Sequence, residues 1–174
     1  MVCDWEFHAR LVSGRGRANS GGHFTVLKGL ADASATGCNI LRPFFLVVLA
    51  QLYEKAGQPE EGLNRLVEAA RLVETTQERW AEAEMHRLWG TLLLSMSKHA
   101  EAENSYRQAL SVAQRQSAKL WELRAAMSMA RLWRDQGKRD EARELLAAVY
   151  VWFTEGFDTL DLKEAKALLD ELAS

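Results

Sequence analysis

Residues recur along this chain at a step of 40. Leu49-Ala50 with Tyr53 falls over Trp89-Gly90 with Leu93, and these fall over Met129-Ala130 with Trp133. The same step carries Gly57 to Ser97 to Gly137, and Glu61-Gly62 to Glu101-Ala102 to Glu141-Ala142. It also carries Leu66 to Tyr106 to Leu146 and Ala69 to Ala109 to Val149. Backwards, it takes Gly62, Leu66 and Ala69 to Gly22, Val26 and Gly29. Small residues stay at small positions and bulky ones at bulky positions. A period of this length implies stacked supersecondary units, each burying its apolar face against its neighbours.

Each unit reads as two helices. Leu49, Leu52, Tyr53 and Ala56 recur at i, i+3, i+4 and i+7, which gathers them on one side of a first helix. Gly57 stops that helix. Pro59-Glu60-Glu61 opens the second, with proline where no N–H is needed and acids at the positive end of the dipole. Leu63, Leu66, Val67 and Ala70 repeat the spacing there. Ala50, Gly90 and Ala130 on the first helices, and Gly62, Ala102 and Ala142 on the second, are small enough for a close approach, so Gly90 is expected at a helix crossing. Composition agrees: no proline occurs after Pro59, and the strong helix formers Ala, Leu, Glu and Arg dominate from there. Six of the 11 glycines fall in the first 40 residues, where Ser13 to Gly22 reads as a loop.

The periodicity predicts a poorly formed helix around 4–12, a second near 20–36, then three full pairs at 43–75, 77–116 and 118–155. A last helix at 159–173 closes the array with Lys163, Glu164, Lys166 and Asp170 outward, as a capping element requires.

Leu, Trp or Met beside a small residue, then an aromatic or Leu, then Gly or Ser, then Glu-small: this order resembles the tetratricopeptide repeat over about residues 20–173. The unit exceeds the usual length of about 34 residues, so both helices are expected to be longer, by under a turn each, and the usual proline after the second helix is lacking. More closely, Leu41-Arg42-Pro43-Phe44-Phe45-Leu46, Lys55-Ala56-Gly57-Gln58-Pro59-Glu60-Glu61-Gly62 and Trp152-Phe153-Thr154-Glu155-Gly156-Phe157-Asp158-Thr159 resemble one bacterial group. These are the C-terminal repeat regions of large predicted ATPases, often with an N-terminal class III adenylate cyclase domain. The resemblance implies an all-α fold, a right-handed α-α solenoid of tetratricopeptide-like pairs in residues 20–174 after a poorly defined segment 1–19. It also implies a bacterial signalling context, with the nucleotide chemistry in an upstream domain that nothing before Gly22 matches.

Several function classes are disfavoured. The 22 Lys and Arg against 24 Asp and Glu lack the basic excess that nucleic-acid binding requires. The longest apolar run, Phe44 to Ala50, is far short of the roughly 18–20 residues of a membrane span. Cys3 and Cys38 form no CxxC pair, and with acidic Asp4 and Glu6 in place of a leader the expectation is a cytoplasmic protein without metal or cofactor. The Gly14–Gly22 stretch lacks the Gly-Lys-Ser/Thr of a phosphate loop, the four histidines stand in no HExxH, and Ser95 and Ser97 stand in no nucleophile elbow. No catalytic constellation is found, and a non-enzymatic role is expected.

What remains is surface. In tetratricopeptide arrays the first helices line a concave groove, and the sides turned away from the apolar stripes carry Val47, Gln51, Glu54 and Lys55, then Arg87, Thr91 and Leu94, then Arg124, Met127, Arg131 and Arg134. Arg124, Arg131 and Arg134 with Arg87 offer forked donors to an acidic partner peptide or helix, or else are a solvated face paired to nearby acids. Val47 and Gln51 replace the lysine–asparagine clamp of chaperone-binding repeats. Trp89, Trp133 and Trp152 fall on packing stripes, while Trp80 and Trp121 are candidates for exposed anchors. At the other end, residues 1–19 cover Phe24, Val26, Leu27 and Leu30 poorly, which suggests a homodimer through that stripe unless Trp5, Phe7 and Leu11 fold back over it. The expected role is a scaffold-like interaction module. The alternative is an oligomerisation or regulatory segment related to an ATPase or cyclase.

Overall fold

The computed structural model describes residues 41–174, and every regular element among them is a helix. They are α1 (Arg42–Lys55), α2 (Pro59–Thr76), α3 (Glu82–Ser95), α4 (His99–Arg115), α5 (Lys119–Asp135), α6 (Arg139–Tyr150) and α7 (Leu160–Ala173). The expected helices near 4–12 and 20–36, and the stripe of Phe24, Val26, Leu27 and Leu30, lie outside the described residues.

Helices α1 and α2, α3 and α4, and α5 and α6 pack as pairs, and each second helix also meets the first helix that follows it. First helices touch one another in turn, α1 to α3, α3 to α5 and α5 to α7. Burial obeys the 40-residue step: Ala50, Gly90 and Ala130 are buried, as are Gly62, Ala102 and Ala142, then Leu66, Tyr106 and Leu146. A Cβ on Gly90 would stand 2.5 Å from Tyr106 Cε1 and 3.0 Å from the Ala102 carbonyl oxygen, so Gly90 does sit at a close crossing.

The second-helix stripe is rotated from its expected place. Gly62, Leu66, Ala69 and Val73 are buried on α2, whereas Val67 is exposed. The α2 backbone comes close to its neighbours at Gly62, whose Cβ position lies 3.0 Å from the Leu92 methyls and 3.3 Å from the Ala50 carbonyl oxygen, and the helix turns that side inward.

Each pair is hinged by the same turn. Gly57, Ser97 and Gly137 all take left-handed φ, at 70°, 62° and 81°. The next N–H, of Gln58, Lys98 and Lys138, donates to the carbonyl of Tyr53, Leu93 and Trp133 at 2.9, 3.0 and 2.8 Å, the Schellman closure that satisfies a helix end. Ser117 (φ 54°) repeats it between α4 and α5, where the Ala118 N–H donates to the Ala113 carbonyl at 2.9 Å.

The third pair departs from its expected span of 118–155. α6 stops at Tyr150, so Trp152 is exposed instead of lying on a packing stripe. The chain turns there because Phe153 packs back on the core and Phe157 reaches the Tyr150 ring, 6.0 Å between centroids. Trp89 and Trp133 do pack against the core, and the Trp133 indole N–H donates to Glu103 at 3.0 Å. Trp80 is exposed yet lies 4.7 Å from the Phe44 ring, while Trp121 is half-buried beside Ala83, Val112 and Ala113.

α7 is part of this packing. Leu162, Leu168 and Leu172 are buried in the same core cluster as Leu123, Met129 and Leu146. At roughly 1.5–3 kcal/mol per large apolar side chain, these three outweigh any surface ion pairs that α7 makes.

Candidate functional site

The first helices bring their polar residues together along one face. At its centre lies the Tyr106 hydroxyl, 3.3 Å from Thr91 Oγ1, in the field of Arg87, Arg131 and Glu54. Burial raises the Tyr106 phenol above its ordinary value, against the opposing pull of the Thr91 hydrogen bond and the two arginines.

Arg87 is the most enclosed cation of the face. Its Nε and Nη2 donate to the two oxygens of buried Glu84, each at 2.7 Å. Burial opposes its charge, but the Glu84 carboxylate with its hydrogen bonds, aided by Glu54, holds the guanidinium above the ordinary arginine range. A bidentate pair in such surroundings is a fixed element of the floor.

The three α5 arginines meet α7. Arg124 forms a bidentate pair with Asp161, Nε to Oδ1 at 2.9 Å and Nη2 to Oδ2 at 2.8 Å. Arg131 donates once, to Glu164 at 3.2 Å, and is the most exposed of the three, at 42% of its side chain. Arg134 bridges Glu171 at 3.1 Å and its neighbour Asp135 at 2.8 Å. Hydrogen bonding to Asp135 is the chief cause that raises its affinity for its proton. All three are paired within the chain, mainly to acids of α7, and only Arg134 also meets the neighbouring Asp135.

Two expected groove residues are elsewhere. Met127 is buried in the core, and so is Val47. Each first helix packs against its own partner helix and against the first helix beside it, so the strip left to solvent is narrower than one helical side. Gln51 and Thr91 are half-buried on α1 and α3, and Lys55 is exposed at the end of α1.

The sequence did not single out Tyr106 or the acids of α7 for this face. A usable signal was present: Arg124 and Asp161 are 37 residues apart, as are Arg134 and Glu171, while Arg131 and Glu164 are 33 apart, as are Glu54 and Arg87. Opposite charges at these steps face one another across adjacent first helices.

Among the described residues, no group of three or more His, Cys, Asp or Glu is placed to hold a metal, and no helix is long and apolar enough to cross a membrane. No protein-family model matches the chain, and no curated protein compared with it matches.

Proposed function

We propose that the chain is a non-enzymatic protein–protein interaction module, a right-handed tetratricopeptide-like solenoid whose first-helix face receives a peptide or helix of a partner. The observation that carries this reading is the state of Arg131. Of Arg87, Arg124, Arg131 and Arg134 it alone is held by a single side-chain hydrogen bond, and the Tyr106 hydroxyl lies within its field. A partner carboxylate replaces Glu164 on Arg131 at little cost, since an exposed pair of this kind is worth only about 0–1 kcal/mol. Arg124 and Arg87 keep their partners and hold the face in shape.

The resemblance carried by residues 41–46, 55–62 and 152–159 supports a cytoplasmic, bacterial setting, with a signalling ATPase or cyclase as the class of protein served. No cofactor, nucleic acid or membrane is needed for that role.

Acidic helical peptides titrated against the chain, with fluorescence anisotropy as the readout, test the proposal. Arg131→Glu is expected to weaken binding at least tenfold, and added salt to weaken it further, with far-UV circular dichroism unchanged. Absence of binding by any acidic peptide, or binding indifferent to Arg131→Glu, overturns it.

A further inference from the structure

At the 40-residue step, Ala50, Gly90 and Ala130 lead to Asp170. On α1, α3 and α5 this small residue receives the second helix of the pair. On α7 the place carries a carboxylate, which a second helix of the repeat type would have to bury. Leu160, Lys163, Ala167 and Asp170 follow one another at i, i+3, i+7 and i+10, so they share a side of α7. Lys163, Ala167 and Asp170, with Lys166, line a groove of about 540 Å³ whose apolar wall is Tyr150, Phe157 and Leu162. Phe157 and Leu160 are 48% and 63% exposed, large values for such side chains. Lys166 is paired with Asp170 at 2.9 Å, while Lys163 is exposed and has no carboxylate among the described residues within ion-pair distance.

The order of these residues is what identifies an occupant. Read from the N-terminal end of α7 it runs apolar, positive, small, negative, and a copy laid antiparallel reverses it. With the two-fold axis midway between residues 166 and 167, Lys163 stands opposite Asp170 of the second chain, and Asp170 opposite its Lys163. Ala167 lies beside the axis, opposite Lys166 of the second chain, and its small side chain lets the helices approach. The same patch serves both chains, as a two-fold interface demands.

We propose that two copies of this chain pair through the outer side of α7, antiparallel, with reciprocal Lys163–Asp170 contacts. This surface is separate from the face around Arg131, so either proposal can fail without the other.

Charge reversal tests it by multi-angle light scattering over a concentration series. The parent is expected to double in mass as concentration rises, at lower concentration in low salt than in high. Lys163→Asp places two acids opposite each other, and Asp170→Lys two cations, so each variant alone stays a single chain. Mixed one to one, the two variants are complementary and pair, as does the double variant Lys163→Asp/Asp170→Lys. Both substitutions complement the α7 dipole, an acid near its start and a cation near its end, so the helix is retained. A parent that is a single chain at every concentration overturns the proposal. So does a dimer that persists in both single variants, which is formed elsewhere, or a mixture of the two that fails to pair.

Discussion

Replacing Gly90 with Ala should destabilise the protein, although alanine is the better helix former. The second pair has Gly90 against Tyr106 where its neighbours have Ala50 with Leu66 and Ala130 with Leu146, a small residue made smaller to match a bulky one made bulkier. A Cβ on residue 90 meets two Tyr106 ring carbons at 2.5 and 2.7 Å. Ordinary carbon contacts lie near 3.5–4.0 Å, so the ring or the helix must shift by about 1 Å. Overpacking of this kind costs typically 1–3 kcal/mol. The ring is buried and the third contact is backbone, which puts this site toward the upper end, near ~2–3 kcal/mol. Alanine returns about 1 kcal/mol of helix propensity, leaving a net loss of about 1–2 kcal/mol. Tyr106→Leu removes the obstacle and gives the pair its neighbours' composition, so Gly90→Ala in that background should stabilise by up to about 1 kcal/mol. The coupling between the two sites is therefore about 2–3 kcal/mol, measurable by urea unfolding of the four proteins at constant m-value. A Gly90→Ala variant as stable as the parent, or equally costly with Tyr106 and with Leu at 106, would refute the packing argument.

Ser97 holds a left-handed φ of 62° where Gly57 and Gly137 stand in the equivalent turns. Ser97→Gly should stabilise by roughly 0.5–1 kcal/mol, the strain of a side chain in that region less the added chain entropy, read as a rise in the thermal midpoint. Burial lowers the pKa of His86 below its ordinary value, outweighing Glu82, with Arg115 lowering it further. The folded protein thus binds fewer protons than the unfolded chain below about pH 6.5. The stability this provides is complete above that pH and is lost as pH falls through the folded pKa. His86→Gln should therefore flatten the difference in unfolding free energy between pH 7 and pH 5, and an unchanged slope would show that His86 does not titrate in this way.

Much of the architecture was legible because it is periodic. The positions repeated at a step of 40 are those at which helix crossings bury residues, so the step alone placed Gly90, Ala102 and Ala142 correctly. The turn at Ser97 was legible only from its neighbours, since serine alone does not announce a left-handed residue. Orientation was harder to read. Val67 and Leu66 are both apolar, and only the close approach at Gly62 decides which one faces inward. A two-helix unit taken alone has one buried side and leaves Met127 on the surface, whereas α5 packs against α3, α4, α6 and α7 and buries it. The end of α6 at Tyr150 depends on where Phe153 and Phe157 find partners, which no local propensity specifies.

The contacts described here join each helix only to its pair and to the pair beside it, and none ties one end of the described chain to the other. Pulled by the two ends of residues 41–174, these helices have no single clasp to break. Tension should peel them apart pair by pair from an end, each step releasing a unit of about 40 residues and some 130–145 Å of contour length. A chain emerging from the ribosome meets the same logic in reverse, since each pair can settle on the one before it without waiting for the remainder.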